Sequence, residues 1–204
     1  MNYEIGWRIN TGNWICDHSN LLNGTYDKET GKFTANAEAT KYAENKNFTL
    51  AVKEMGAELN SLKSKKTGFE FIWQGNTDIW YGQSPILFPI IGRLLDDKYR
   101  LDGKEYTMPK HGIVRKKPFK LIESTEDSLT FCQSSDEESL ESYPYNFDLT
   151  VTFKLTDTGL DVTHTVYNKD SKDMYYSFGA HPAFNCAIGD YLEFQNNETL
   201  LTER

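Results

Sequence analysis

Polar and apolar residues alternate most regularly over residues 146–155. Phe147, Leu149, Val151, Phe153 and Leu155 fall on one face, and Asp148, Thr150, Thr152 and Lys154 on the other. That period of two is the pattern of a half-buried strand. Thr156-Asp157-Thr158-Gly159 reads as a turn, after which Leu160, Val162, His164 and Val166 share the next apolar face. His164 on such a face is expected to be a hydrogen-bonded core residue. Upstream, residues 48–52 alternate in the same way, and a short strand is predicted around Leu59 and Leu62. Lys66-Thr67-Gly68 is a turn leading into residues 69–73. Asp102-Gly103, between Tyr99 and Tyr106, suits a type I′ hairpin. Residues 119–123 and 129–133 are predicted to pair. One helix is predicted, capped by Ser135, running over residues 136–142 and stopped by Pro144, with Glu137 and Glu138 near its positive end. The chain reads as all-β and antiparallel, a sandwich rich in hairpins.

Residues 1–38 differ. They mix Asn, Gly, Thr and Asp with scattered aromatics and are read as having no sustained period. Asn23-Gly24 and the Asp-Lys-Glu-Thr-Gly run that starts at Asp27 predict loops or a small hairpin. The division expected is therefore an N-terminal extension of unknown role over residues 1–38 and a β-sandwich domain over residues 39–204.

Composition narrows the function. With 38% hydrophobic residues among 204, a sizeable core can form. A formal net charge of −8 repels phosphate backbones, so nucleic acid is not an expected partner. Phe and Tyr, 12 of each, suit sheet surfaces and platforms for the face of a sugar ring. Cys16, Cys132 and Cys186 are isolated, so neither a disulfide framework nor a metal site is expected. The first residues lack the basic start and apolar run of a signal peptide, and no apolar stretch approaches membrane-spanning length. The expectation is a cytoplasmic protein with no membrane partner, in which the sequons at Asn23, Asn47 and Asn197 are chance matches.

Three segments place a polar side chain beside backbone-fixing Gly or Pro. They are Ser84-Pro-Ile-Leu-Phe-Pro-Ile-Ile-Gly-Arg93, Lys110-His-Gly-Ile-Val-Arg115 and Tyr176-Ser-Phe-Gly-Ala-His-Pro-Ala-Phe-Asn185. Proline holds its own backbone angle and pushes the preceding residue into extended geometry, so His181 has a defined orientation. An imidazole so held is suited to proton transfer near neutral pH. By itself the segment also fits a buried structural histidine. A second histidine, His111, in its own turn motif favours a site. His18 lies in the unpatterned N-terminal segment and is assigned no role.

In this order, P-I-L-F-P-I-I-G-R, H-G-I-V-R and F-G-A-H-P-A-F-N resemble the aldose 1-epimerase (mutarotase) family, in particular its bacterial branch of uncertain sugar preference. Gly56-Ala-Glu-Leu-Asn-Ser61 and Trp73-Gln-Gly75 resemble its opening strands, and the likeness runs from about Ala39 onward. The resemblance implies an antiparallel β-supersandwich with a sugar cleft, no cofactor, and interconversion of the α and β anomers of a free aldose. It implies that His181 is the acid, that His111 binds and polarises the sugar, and that Arg93 binds sugar hydroxyls, with Arg115 a further substrate-binding candidate. The family's catalytic glutamate, and an aspartate before it, lie further along than any position that matches here. The base is not carried onto Glu193, Glu198 or Glu203. Two alternatives stay open: a non-catalytic carbohydrate-binding module, and a hexose-6-phosphate mutarotase drawing on Arg93, Arg115, Lys116 and Lys117. Sheet edges left exposed by a shortened sandwich invite self-association.

Overall fold

The strand periodicities close into sheets in a computed structural model that describes residues 3–10, 25–27, 32–34, 40–76, 78–191 and 193. Cys16, His18, Asn23, Asn197, Glu198 and Glu203 lie outside the described residues. The strands are β1 (Tyr3–Asn10), β2 (Thr25–Asp27), β3 (Lys32–Thr34), β4 (Thr40–Glu44), β5 (Phe48–Lys53), β6 (Glu58–Ser64) and β7 (Ile86–Leu87). They continue with β8 (Lys98–Leu101), β9 (Lys104–Thr107), β10 (Lys120–Ser124), β11 (Ser128–Ser134), β12 (Phe147–Leu155), β13 (Gly159–Asn168) and β14 (Gly179–Ala180). Among the described residues one α-helix, α1 (Glu137–Ser142), stands between β11 and β12.

An antiparallel five-stranded sheet has the order β1-β13-β12-β11-β10. A second antiparallel sheet has the order β4-β5-β6. The alternating apolar positions of both supply one continuous core, with Leu50, Val52, Leu59 and Leu62 from the small sheet and Phe131, Leu149, Val151, Phe153 and Val162 from the large one. The sheets are tied at one end. Glu44 N–H donates to Glu126 O at 2.7 Å, and Asn45 Nδ2 donates to Thr156 O at 2.8 Å. His164 is buried, with its ring 4.6 Å from that of Phe178. The β8–β9 hairpin turns at Asp102 and Gly103, whose φ values of +50° and +79° are those of the type I′ turn.

Three local readings change. The helix is capped by Asp136 and not by Ser135. The Asp136 carboxylate accepts from Ser139 N–H and Ser139 Oγ accepts from Asp136 N–H, each at 2.7 Å, while Ser135 Oγ accepts from Phe147 N–H instead. Residues 69–73 form only isolated bridges, Lys63 with Glu70 and Ile72 with Phe184. The Glu70 carboxylate takes the N–H groups of Leu62 and Ile72, which a ladder would otherwise use. Within residues 1–38, β2 and β3 form the small hairpin, and Tyr3–Asn10 adds an eight-residue edge strand along β13.

Candidate active site

The short strand β7 and its flanking prolines form the centre on which the three motifs assemble. On one side β14 pairs with it, Gly179 opposite Leu87 and Ala180 opposite Ile86. Two further bonds extend that pairing, from Ser177 N–H to Pro89 O at 2.8 Å and from His181 N–H to Pro85 O at 3.0 Å. On the other side Phe88 forms a parallel bridge with Gly112, and Ile113 N–H donates to Phe88 O at 2.9 Å. Gly112 has φ +76°, and a Cβ there would lie 2.0 Å from Phe88 O. Only glycine lets the H-G turn come this close. The last residue of the third motif is also explained. Asn185 Nδ2 donates to Glu70 O and Ile72 O, at 2.8 and 3.1 Å, which fixes the end of the G-A-H-P-A-F-N loop to residues 70–72.

His111 itself has φ +67°, a conformation that ordinary L residues rarely adopt. Two hydrogen bonds hold it. His111 N–H donates to Gly92 O at 2.7 Å, and Gly92 N–H donates to His111 Nδ1 at 3.0 Å. An Nδ1 that accepts carries no proton, so the neutral ring has its hydrogen on Nε2. Desolvation, then the charges of Lys110, Arg115 and His181, push the His111 imidazole below its ordinary value. At neutral pH the ring is therefore an uncharged donor through Nε2. His111 and His181, 70 residues apart in sequence, are carried by the segments on either flank of β7.

His181 is exposed on the far flank of β7, and its ring stands edge-on to Trp80, with centroids 5.0 Å apart and planes at 70°. Arg115 sits in a 3-10 turn (Val114–Lys116), donates from Nη2 to Lys110 O at 3.2 Å, and keeps a buried Nε with no partner among the described residues. Arg93 follows Gly92 directly, but its guanidinium is held by Asp97, with Nε and Nη2 at 2.7 and 2.8 Å from the carboxylate oxygens. The structure thus brings the segments bearing His111, His181 and Arg115 to β7 and engages Arg93 in an exposed ion pair.

A recess of about 750 Å³ lies between the 114–116 turn and α1, lined by Gly112, Ile113, Arg115, Lys117, Gln133 and Ser139 among others. Neither histidine lines it. Among the described residues no group of three or more His, Cys, Asp or Glu side chains is placed to hold a metal ion, and no helix is long and apolar enough to cross a membrane.

Sequence reasoning missed Trp80 and the residues that brace it. The legible signal was an aromatic pair, Trp80-Tyr81, directly before Gly82-Gln83 and the first motif. A further miss is the buried polar knot behind the site. Gln83 Oε1 accepts from Lys53 Nζ at 2.6 Å and from Asn60, while the Glu58 carboxylate accepts from the N–H groups of Gln83 and Ser84. Burial pushes the Lys53 ammonium below its ordinary range, and Glu58 opposes that.

Comparison with known proteins agrees with this arrangement. A family model described as aldose 1-epimerase matches residues 41–204. Over 150 residues the chain is 39% identical to protein LacX of Lactococcus lactis subsp. lactis, in a match covering 71% of this chain and 50% of that protein. Its fold is similar to that of a galactose mutarotase-like protein from Lactobacillus casei, with TM-score 0.71, 41% identity, and 72% of this chain and 50% of that one covered. It is also similar to a galactose mutarotase related enzyme from Lactobacillus acidophilus, with TM-score 0.70, 35% identity, and 78% and 51% covered. The chain spans about half the length of these relatives. Its antiparallel sheets share the β-sandwich of the galactose mutarotase-like structures. By its three motifs, their assembly around β7 and these likenesses, the chain belongs to the aldose 1-epimerase family.

Proposed function

We propose that the two histidines form a site for a free aldose and supply part of an acid–base apparatus for interconverting its anomers. The observation that carries this reading is the pairing of a neutral His111, donating through Nε2, with an exposed His181 across β7. Opening a pyranose requires a base to take the proton of the anomeric hydroxyl. The C1–O5 bond then breaks as C1 becomes a carbonyl carbon, and an acid protonates the ring oxygen. Rotation about C1–C2 and closure with the proton transfers reversed give the other anomer. His181 takes the acid's part, His111 donates to a sugar oxygen, and Arg93 and Arg115 are the substrate-binding candidates. Arg93 would meet a hydroxyl with Nη1 or in exchange for Asp97.

Among the described residues no base stands beside the pair. Lys110 and Arg115, both cationic, act on His111, and among the described residues no carboxylate is hydrogen-bonded to either imidazole. A general acid or base typically contributes about 10²–10⁴-fold. The 204-residue chain is therefore expected to bind sugar but to interconvert anomers very weakly or not at all. This favours carbohydrate binding without catalysis as the second reading for the chain as it stands. A phosphorylated sugar is less well supported, because Arg93 is committed to Asp97, and Lys117 to Asp136 and Glu138.

Polarimetry on freshly dissolved α-galactose and α-glucose tests the reading. The purified chain is expected to leave the optical rotation relaxing close to the buffer rate, with His181→Asn changing little. In a form of the chain extended through the family's glutamate, rapid mutarotation lost on His181→Asn is expected. Robust mutarotation by the short chain, abolished by His181→Asn, would show that a base is present after all. An extended form indifferent to His181→Asn would remove His181 from the acid's role.

A further inference from the structure

We propose that Trp80 is a positioning residue for His181, its indole forming the wall against which the exposed imidazole is held. This inference rests on the histidine-pair reading for its functional meaning, but the contact can be tested without it.

His181 is exposed, so its ring would sample several rotamers unless something restrains it, and fixing a side chain costs conformational entropy. Its backbone is anchored to Pro85 O, but a backbone bond does not fix the ring. The ring contact available is Trp80, edge-on at 5.0 Å, a preferred geometry for an interacting ring pair.

Trp80 is itself immobilised from behind. A Cβ on Gly82 would meet Trp80 Cζ2 at 2.6 Å, Cε2 at 2.8 Å and Cη2 at 3.2 Å, so the indole lies directly over the space that Gly82 leaves empty. The backbone of the same turn is closed by Trp80 N–H donating to Asn76 O at 2.7 Å and Asn76 N–H donating to Trp80 O at 3.1 Å. Trp73 Nε1 donates to the same Trp80 carbonyl at 3.2 Å. Three residues beyond Trp80, Gln83 O accepts from Ala183 N–H at 2.8 Å, two residues beyond His181. The side chain of Gln83 donates to Asn60 O and Trp73 O, at 3.0 and 3.1 Å. Both rings therefore hang from one braced backbone unit, and a shift of the 73–83 turn carries the imidazole's wall with it. The requirement for glycine at position 82 is one of space for the indole.

The experiment compares Trp80→Leu, Trp80→Phe and Gly82→Ala with the parent chain, reading the His181 ring protons by NMR and sugar affinity by titration with galactose. Thermal unfolding confirms that each variant is folded. Trp80→Leu is expected to remove the ring-current displacement of the His181 protons and to weaken sugar affinity by up to about tenfold. Trp80→Phe should restore part of both. Gly82→Ala adds a methyl whose nearest neighbours are atoms of the indole, so it should shift the His181 protons in a folded protein. His181 resonances unchanged in both Trp80→Leu and Gly82→Ala would overturn the proposal. So would a Trp80→Phe variant no different from Trp80→Leu. If the parent chain binds no sugar, the functional reading fails while the resonances still decide the role of Trp80.

Discussion

Replacing Gly112 by alanine tests the close approach on which the site depends. The added Cβ would lie 2.0 Å from Phe88 O, 2.3 Å from Phe88 C and 2.7 Å from Pro89 N. All three are backbone atoms, Phe88 is fully buried, and the two segments must part by more than about 1 Å to restore ordinary contact. Parting breaks the bond from Ile113 N–H to Phe88 O. A buried group left unpaired costs about 1–3 kcal/mol, and alanine at φ +76° costs about 1 kcal/mol more. The total is about 3 kcal/mol, a large share of a typical domain stability of about 5–15 kcal/mol. Urea unfolding with amide spectra reads both parts of the effect: a lower midpoint, and shifts concentrated in residues 85–93 and 110–115. Gly103→Ala is the control. It has φ +79° but open space around its Cβ position, so it should show the backbone cost alone. Equal losses in the two variants would refute the close approach, and with it the account of how His111 is brought to β7.

Three further outcomes are expected. Gln133 is buried with neither amide atom partnered among the described residues, so Gln133→Leu should raise stability by about 1 kcal/mol in urea unfolding; a clear loss would mean that the amide has a partner. The fold favours the neutral form of His111, so the unfolded chain takes up that proton first. Its contribution to stability is present above about pH 6.5 and is lost as pH falls through its lowered folded value. The Gly92 amide resonance should titrate with a midpoint below 6.5, and a midpoint above it would contradict the assigned hydrogen bond. Asp136→Ala removes the capping box of α1 and one of the two carboxylates on Lys117, and should cost about 1 kcal/mol in unfolding midpoint; no change would mean that the cap contributes nothing.

Strands with one buried face were legible because burial imposes a period of two. Residues 146–155 and the stretch after Gly159 became β12 and β13 with the apolar positions inside. The Asp102-Gly103 turn was legible because few residues tolerate its backbone angles. β1 was missed although Tyr3, Ile5, Trp7 and Ile9 alternate with Glu4, Gly6, Arg8 and Asn10. Reading residues 1–38 as one segment diluted an eight-residue signal. The cap at Asp136 was missed because adjacent Ser and Asp are both good caps, and the choice is made by Phe147, which lies 12 residues beyond Ser135 and claims its hydroxyl. At the site, the histidine motifs could be read because Gly and Pro punctuate them. The partners of those histidines could not be. The Arg93–Asp97 pairing depends on a 3-10 turn (Leu95–Asp97), and the contact of Trp80 with His181 joins residues 101 positions apart.

The proposed function requires that His111 and His181 together receive a free aldose. Titration of the chain with galactose and glucose, followed in the ring-proton resonances of both imidazoles, tests this most directly. Both sets of resonances should move along one saturation curve, and the acyclic alditol of the same sugar, which has no anomeric centre or ring oxygen, should move them little. If neither imidazole responds, or if the alditol produces the same shifts as the aldose, the histidine pair is not an aldose site.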